Sequence, residues 1–253
     1  MKFQYCSDLH LEFNNNSTFL KKFHLVPVAD ILILAGDITY LRKDFYNHNF
    51  FDFVSQNWKQ TYLLPGNHEF YCGIEVTSYD FTKPIQIREN ISVVNDCVIK
   101  IEDVNLIFTT LWSKISKEKA NYIQNSVSDF ECIIYKGKRF NTNDFNNLHK
   151  LSFEFLKNEI SKLKNEKNII ITHHVPTNLC DAEEFKNSKL NEAFTVDLKE
   201  FVEKSGAKYW IYGHSHRNMP EIKLGKTKLV TNQLGYVDLN EHKSFVVDKY
   251  LEI

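Results

Sequence analysis

Five short polar clusters, each placed where an apolar run ends, hold the side chains most able to do chemistry in this chain. They read Asp8-Leu-His10, Gly36-Asp37, Gly66-Asn67-His68-Glu69, His173-His174 and Gly213-His214-Ser-His216. Carboxylate and imidazole groups suit a borderline divalent ion such as Mn²⁺, Fe²⁺ or Zn²⁺, and asparagine offers a neutral oxygen ligand. In α/β proteins, strand ends at one edge of a sheet bring together side chains from distant sequence positions. The five clusters therefore predict a metal pocket.

Taken singly, most of these residues also have a purely structural explanation. Asp37 follows an apolar run and could cap the N-terminus of the next segment, and His68 could be a core histidine. Glu69 could orient His68 or bind backbone groups of its own loop. Adjacent histidines at a strand end cannot both easily bind one ion, so we expect one of His173 and His174 to be a ligand and the other to contact ligands or substrate. Five clusters at five strand ends favour a metal site over five coincidences.

The order of the clusters resembles the calcineurin-like metallophosphoesterase superfamily, whose blocks D-x-H, G-D, G-N-H-E, H and G-H-x-H all occur here between Asp8 and His216. The resemblance implies an α/β fold, a four-layer αββα sandwich of two mixed β-sheets flanked by helices. It also implies a dinuclear site, with Asp8, His10 and His216 on one ion, Asn67, His173 and His214 on the other, and Asp37 bridging both. The preference for His173 over His174 rests on the family pattern, in which the residue directly after the strand binds. His68 would be the proton donor to the leaving group.

The chemistry of phosphoester hydrolysis is consistent with that assignment. Two cations about 3.5–4 Å apart need a shared anionic ligand, which Asp37 would supply. In-line attack on phosphorus needs an activated hydroxide, and water bound to such ions can lose its proton near neutral pH. The departing alkoxide needs a proton, which His68 would give. We predict a hydrolase of phosphomonoesters or phosphodiesters with two divalent ions, Mn²⁺ being favoured over Fe²⁺, Zn²⁺ or Ni²⁺.

Two features of the sequence narrow the class of substrate that we expect. The phosphoprotein-phosphatase branch of the superfamily extends the second and third blocks with arginines that hold the substrate phosphate. Here the second block continues as Ile-Thr-Tyr-Leu-Arg42 and the third as Phe-Tyr71, so protein-phosphatase activity is not expected. Arg42 could still contact substrate, although a solvated loop arginine is the simpler interpretation. Aromatic residues near the clusters could stack on a nucleobase or serve ordinary packing. They are Phe13, Tyr40, Phe70, Tyr71 and Trp112. We predict a small or nucleotide-like substrate.

Composition limits the partners and the setting. The formal net charge is -1, so no global basic field favours stable binding to nucleic acid. No apolar stretch reaches membrane-spanning length. Five scattered cysteines without a C-x-x-C pair favour a reduced, cytoplasmic setting. A non-catalytic binding scaffold of the same fold, and a single-strand nuclease using the basic residues 136–139, are the alternative functions.

Apolar runs predict strands directly before the clusters. These strands span residues 3–7, 30–35, 60–64, 169–172 and 208–212. The run before Gly36 is apolar throughout, which is typical of a sheet covered on both faces. Residues 91–94, 97–101 and 106–110 are typical of β-hairpins. Residues 227–231 and 245–250 together would close a second sheet.

Helical spacing of apolar residues appears in three further segments. They span residues 44–56, 151–163 and 197–203. The second would bury one face, formed by Leu151, Phe155, Leu156, Ile160 and Leu163, and Gly206 would end the third. Periodicity fades over residues 113–147, which we predict to form a helical rim or lid beside the pocket. No linker interrupts the chain, so residues 1–253 are predicted to form a single domain.

Overall fold

The computed structural model describes residues 1–42, 47–81 and 83–253. Its strands are β1 (Lys2–Cys6), β2 (Ile31–Ala35), β3 (Gln60–Leu64), β4 (Ile85–Arg88), β5 (Ile91–Val93), β6 (Cys97–Ile101), β7 (Val104–Thr109), β8 (Ile134–Tyr135), β9 (Lys138–Arg139), β10 (Lys167–Thr172), β11 (Tyr209–Ile211), β12 (Ile222–Leu224), β13 (Thr227–Val230) and β14 (Tyr250–Glu252). The helices in these ranges are α1 (Asn14–Lys22), α2 (Asn49–Asn57), α3 (Lys117–Gln124), α4 (Asp129–Cys132), α5 (Thr142–Lys162) and α6 (Lys199–Ser205).

Twelve of the strands form two six-stranded mixed sheets. The first sheet has the order β14-β1-β2-β3-β5-β4, and the second has the order β12-β13-β11-β10-β7-β6. In each sheet the four inner strands are parallel and the two edge strands are antiparallel to their neighbours. The inner strands therefore all end at one edge of their sheet, where their following loops can meet.

Alternate residues of the inner strands divide the core into layers. In β2, Ile33 packs with Phe108 and Ile171 of the second sheet, whereas Leu32 and Leu34 pack on the opposite face with the aromatic residues of α2. A third apolar cluster covers the outer face of the second sheet. Both faces of the first sheet are covered at β2, and this strand is apolar throughout. The architecture is the predicted four-layer αββα sandwich.

Most predicted elements are present, with shifted ends. The strand at 60–64 and the strand at 97–101 have the predicted bounds, and the helix predicted at 197–203 is α6, ended by Gly206 in the left-handed conformation (φ 67°). The segment predicted as helical at 44–56 contains α2, while its residues 44–46 lie outside the described ranges. Along the described chain, no helix combines the length and the apolar character needed to cross a membrane.

Four expectations need correction. Strand β14 lies antiparallel to β1 in the first sheet, so residues 245–250 do not close the second sheet, which β13 does join. Of the three predicted hairpin strands, β6 and β7 form a hairpin with each other, whereas β5 lies in the other sheet, where it forms a hairpin with β4 and runs parallel to β3. Helix α5 begins at Thr142, because the Asn141 side chain accepts hydrogen bonds from two backbone N–H groups of its first turn. Leu151 on that helix is 51% exposed instead of buried.

Residues 113–147 fold into helices α3 and α4, the β8–β9 hairpin and the start of α5. An aromatic cluster holds them to the body of the protein: Trp112 lies 5.5 Å from Phe140 and 5.4 Å from Phe145 between ring centroids. The basic residues 136–139 form the exposed tip and second strand of the β8–β9 hairpin. The segment is thus a packed part of the molecule.

Candidate metal centre and active site

The five polar clusters follow five inner parallel strands, namely β1, β2, β3, β10 and β11. Their donor atoms converge in two places. One group contains Asp8, His10, Asp37 and His216, and the other contains Asp37, His173 and His214, with the donor atoms of each group all within 4.8 Å of one another. Asp37 belongs to both groups. We call Asp8, His10 and His216 the first donor group, and Asn67, His173 and His214 the second donor group.

The first donor group is built around two facing imidazoles. His10 Nε2 lies 2.9 Å from His216 Nε2, and the carboxylate of Asp8 lies 3.5 Å from the same His216 nitrogen. Asp37 Oδ2 is 3.9 Å from His10 Nε2. Two imidazole nitrogens and two carboxylates aimed at one point form a donor set that suits a borderline divalent cation.

The second donor group is centred on His173 Nε2. This atom lies 3.1 Å from Asn67 Oδ1 and 3.2 Å from His214 Nδ1. Asp37 Oδ2 is 3.3 Å away from it, so a single Asp37 oxygen faces both groups. A shared carboxylate between two donor sets is the arrangement that a dinuclear site requires.

The backbone of the ligand loops is unusual. Asp8, His10, Asp37, His214 and His216 all have positive φ, between 46° and 72°, a region that non-glycine residues rarely adopt. Such conformations persist only where the surroundings enforce them. Here the loops bind one another through backbone hydrogen bonds from Asp8 to Gly36 and from His10 to Asp37.

Glu69 fixes the Asp37 loop. Its carboxylate accepts hydrogen bonds from the backbone N–H groups of Asp37 (2.9 Å), Ile38 (2.7 Å) and Gly66 (2.6 Å). The sequence left two roles open for Glu69, orienting His68 or binding backbone groups. The observed contacts are the backbone contacts. The carboxylate thereby joins the loops that follow β2 and β3.

Two glycines make room for His173. A Cβ atom at Gly36 would overlap the His173 ring, and one at Gly66 would lie 2.6 Å from His173 Nε2. Because two backbone segments approach the ring this closely, its orientation is fixed by packing. His173 Nδ1 also donates a hydrogen bond to the Ala35 carbonyl at 3.0 Å, which leaves Nε2 to face the second donor group.

His68 lies beside Asp37 at the entrance of the site. Its backbone N–H donates to Asp37 Oδ1 at 2.9 Å, and its ring stacks on Tyr71 with the centroids 4.1 Å apart. The ring Nδ1 lies 2.9 Å from Glu12 Oε1. Burial disfavours the charged ring, but the carboxylates of Asp37 and Glu12 outweigh burial and raise the pKa of His68 to about 9.

Comparison with known proteins identifies the family. The sequence model of the calcineurin-like phosphoesterases matches residues 1–218. The chain belongs to that family. A protein of Acanthamoeba polyphaga mimivirus, named "Uncharacterized protein L509", is 30% identical over 275 residues, covering 99% of this chain and 96% of its own length. The crystal structure of the phosphopantetheinyl hydrolase PptH from Mycobacterium tuberculosis superposes with a TM-score of 0.77 at 16% identity, covering 99% of this chain and 95% of that one.

Family and fold together make this protein a metal-dependent phosphoester hydrolase. The donor groups fit a dinuclear site for divalent ions. Carboxylate, imidazole and amide donors are all present in them, and every one of these side chains is buried or nearly so.

Three carboxylates that support this phosphoesterase site were missed from the sequence. Glu12 contacts His10 and His68, and Glu241 Oε2 lies 2.8 Å from His216 Nδ1. Asp129 accepts hydrogen bonds from Asn67 Nδ2 at 2.8 Å and from the Tyr71 hydroxyl at 2.6 Å. The sequence does contain a signal for Glu12, because it lies two residues after His10, just as His10 lies two residues after Asp8. Asp129 and Glu241 stand far from any cluster and carry no such signal.

His174 is brought to the edge of the phosphoesterase site without joining a donor group. Its ring packs 4.2 Å from His214 and 5.3 Å from Trp112 between centroids. Neither ring nitrogen has a hydrogen-bond partner in the described structure, and burial followed by the nearby His173 holds the pKa of His174 well below its usual range. His173 is therefore the better placed of the two histidines to act as a ligand.

A cavity of about 490 Å³ opens onto Asp37, Asn67, His68, His214 and His216 of the phosphoesterase. Its wall is largely aromatic: Phe13, Tyr40, Tyr71, Phe185, Phe194 and Tyr236 line it. Residues 126–129 complete the wall, so part of the segment 113–147 borders the pocket. Phe70 and Trp112 instead lie in the core. Among the described lining residues there is no lysine or arginine, and Arg42 is exposed outside this set.

Proposed function

We propose that this phosphoesterase binds two divalent ions, one at the first donor group and one at the second, with Asp37 bridging them. The observation that carries the proposal is the position of Asp37 Oδ2, 3.9 Å from His10 Nε2 and 3.3 Å from His173 Nε2. When bound, such ions activate water as the nucleophile and neutralise charge on the phosphoryl oxygens. Mn²⁺ is the ion we favour, with Fe²⁺, Zn²⁺ and Ni²⁺ as alternatives; the mixed nitrogen and oxygen donors of both groups are compatible with all four.

His68 is proposed to protonate the leaving oxygen. Its Nδ1 is engaged by Glu12, while its Nε2 lies 3.4 Å from the Tyr236 hydroxyl, at the cavity. The Glu12 carboxylate behind Nδ1 favours the protonated ring. General-acid assistance matters most for esters whose leaving group is a poor one.

The proposed substrate is a small or nucleotide-like phosphoester. The cavity volume of about 490 Å³ suits a small ligand, and its aromatic wall can accept a flat ring by stacking. The absence of lysine and arginine among the described lining residues argues against a substrate with several phosphates. We further propose a reducing, cytoplasmic setting, since all five cysteines are unpaired.

The first test is turnover of p-nitrophenyl phosphate and of bis(p-nitrophenyl) phosphate by the purified protein with Mn²⁺. Turnover should depend on the added metal and be abolished by a chelator. A panel of mononucleotides, cyclic nucleotides, dinucleotides and sugar phosphates would then define the substrate. A phosphopantetheinyl ester belongs in that panel, because PptH is named a phosphopantetheinyl hydrolase. No turnover with Mn²⁺, Fe²⁺, Ni²⁺ or Zn²⁺ on any ester would refute the proposal.

The second test addresses His68 directly. His68→Ala should retain both ions and lose about 10²–10⁴-fold in kcat on alkyl phosphoesters, with a much smaller loss on nitrophenyl esters, whose leaving group needs no proton. Elemental analysis of the variant measures its metal content. An equal loss on both kinds of ester would show that His68 is not the proton donor.

A further inference from the structure

A single oxygen of Glu12 contacts two functional histidines. Glu12 Oε1 lies 3.1 Å from His10 Nδ1 and 2.9 Å from His68 Nδ1. The Glu12 side chain is only 2% exposed, so solvent cannot readily replace either contact. The carboxylate therefore joins a member of the first donor group to the proposed proton donor, although the two histidines are far apart in sequence.

The local sequence explains how Glu12 reaches this position. Leu9 and Leu11 are buried in the core cluster beneath the first sheet. The residues between and after them, His10 and Glu12, face the opposite way, toward the donor atoms. Polar residues that face the site thus alternate with buried leucines from Asp8 to Glu12, and the two leucines anchor this segment in the core.

The two contacts also define the roles of the remaining ring nitrogens. A carboxylate can only accept, so each Nδ1 carries the hydrogen. For His10 this leaves Nε2 to face His216, and for His68 it leaves Nε2 as the nitrogen directed at the cavity. A carboxylate behind an imidazole fixes both its tautomer and its ring orientation.

We propose that Glu12 is a positioning residue that holds His68 in the orientation for proton donation and ties that orientation to the first donor group through His10. This inference rests on the proposed role of His68. A phosphoester bound between the donor groups and His68 would then lie at a fixed distance from the His68 proton, because one carboxylate, that of Glu12, holds both His10 and His68.

Glu241 offers a matched control within the same chain. Like Glu12, it places a carboxylate oxygen against the Nδ1 of an imidazole in the first donor group, 2.8 Å from His216. Unlike Glu12, Glu241 has no hydrogen bond to His68; its other partners are Arg217 and the Tyr236 backbone. Glu12→Gln and Glu241→Gln therefore remove comparable charges behind the first donor group, and only one of them touches the proton donor.

The experiment compares both variants on a nitrophenyl diester and on an alkyl diester, with Mn²⁺ at saturation and metal content measured by elemental analysis. We expect Glu12→Gln to lose about 10–100-fold more kcat on the alkyl ester than on the nitrophenyl ester, the range typical for loss of an orienting partner. Glu241→Gln should lower both rates by the same factor. Glu12→Asp, which keeps the charge, should recover part of the alkyl-ester rate.

Two outcomes would overturn the inference. One is an equal loss on both esters in Glu12→Gln; the other is an unchanged effect of Glu12→Gln when His68 is already alanine, since positioning through His68 must vanish without it. The His68→Ala variant alone separates this failure from failure of the proposed function. If His68→Ala is selective for alkyl esters and Glu12→Gln is not, only the role of Glu12 is wrong.

Discussion

The two donor groups differ in what stands behind their ligands. In the first group, both imidazoles back onto carboxylates: Glu12 lies 3.1 Å from His10 Nδ1, and Glu241 lies 2.8 Å from His216 Nδ1. In the second group, His173 backs onto the neutral carbonyl of Ala35, and Phe194 stacks on the ring of His214 with the centroids 4.8 Å apart. The carboxylate of Asp129 also lies behind the second group, where it accepts a hydrogen bond from the Asn67 amide instead of an imidazole.

This difference predicts two ions of unequal affinity. A carboxylate behind an imidazole makes the ring a stronger ligand, and it adds negative charge near the cation. The second donor group has neutral support for its histidines and should release its ion first when a chelator is titrated. Asp37, which faces both groups, is the residue that makes the two affinities depend on each other.

Asp37→Asn should have the largest effect, because it removes the charge common to both groups. Loss of the bridging anion should empty at least one site and remove several kcal/mol of transition-state stabilisation. Turnover should therefore fall roughly 10³-fold. Elemental analysis after desalting and turnover of a nitrophenyl diester would measure this. Asp30→Asn, at an exposed aspartate just before β2 whose side-chain partner is Lys59, is the control. Retention of two tightly bound ions by Asp37→Asn would contradict the bridge.

Asp129→Asn and Glu241→Gln should each weaken one ion, and not the same one. Each removes one charge, behind the second and the first donor group respectively, and loss of such partners commonly costs about 10–100-fold in metal affinity. Calorimetric titration of Mn²⁺ into the metal-free variants would resolve the two binding steps. The comparison between the groups fails if both substitutions weaken the same step.

Tyr71→Phe should give a smaller change confined to the second group. The substitution removes the hydroxyl that donates to Asp129 and keeps the ring stacked on His68. A hydrogen bond to a charged group contributes about 1.5 kcal/mol, so the weaker ion should bind roughly tenfold less tightly. The ratio of alkyl-ester to nitrophenyl-ester rates should stay unchanged; a shift in that ratio would show that the hydroxyl acts on His68 instead.

Arg42→Ala should have the smallest effect, since Arg42 is exposed and is not among the described residues that line the cavity. We expect kcat and KM on a nitrophenyl diester to remain within about twofold, as is usual for surface substitutions. A tenfold rise in KM without a change in metal binding would instead make Arg42 a substrate contact.

Much of the site could be predicted because its residues follow strands whose apolar runs are visible in the sequence. The run Ile31–Ala35 and the glycine after it, for example, fix the place of Asp37. What could not be predicted depends on distant partners. Strand β14 pairs with β1 from the other end of the chain, and the start of α5 depends on a cap at Asn141 in a polar stretch without periodicity. Nothing in the sequence around Asp129 distinguishes it from other isolated acidic residues, because its contact with Asn67 forms only in the folded protein.

Asp129 has a consequence for redesign of this enzyme. Its segment, residues 126–129, lines the cavity, yet its carboxylate also sets which atom of the Asn67 amide faces the second donor group. Exchanging this stretch for one of another length or composition would therefore alter substrate preference and metal occupancy together. A graft intended to change specificity alone would have to carry an acceptor of its own to the same place.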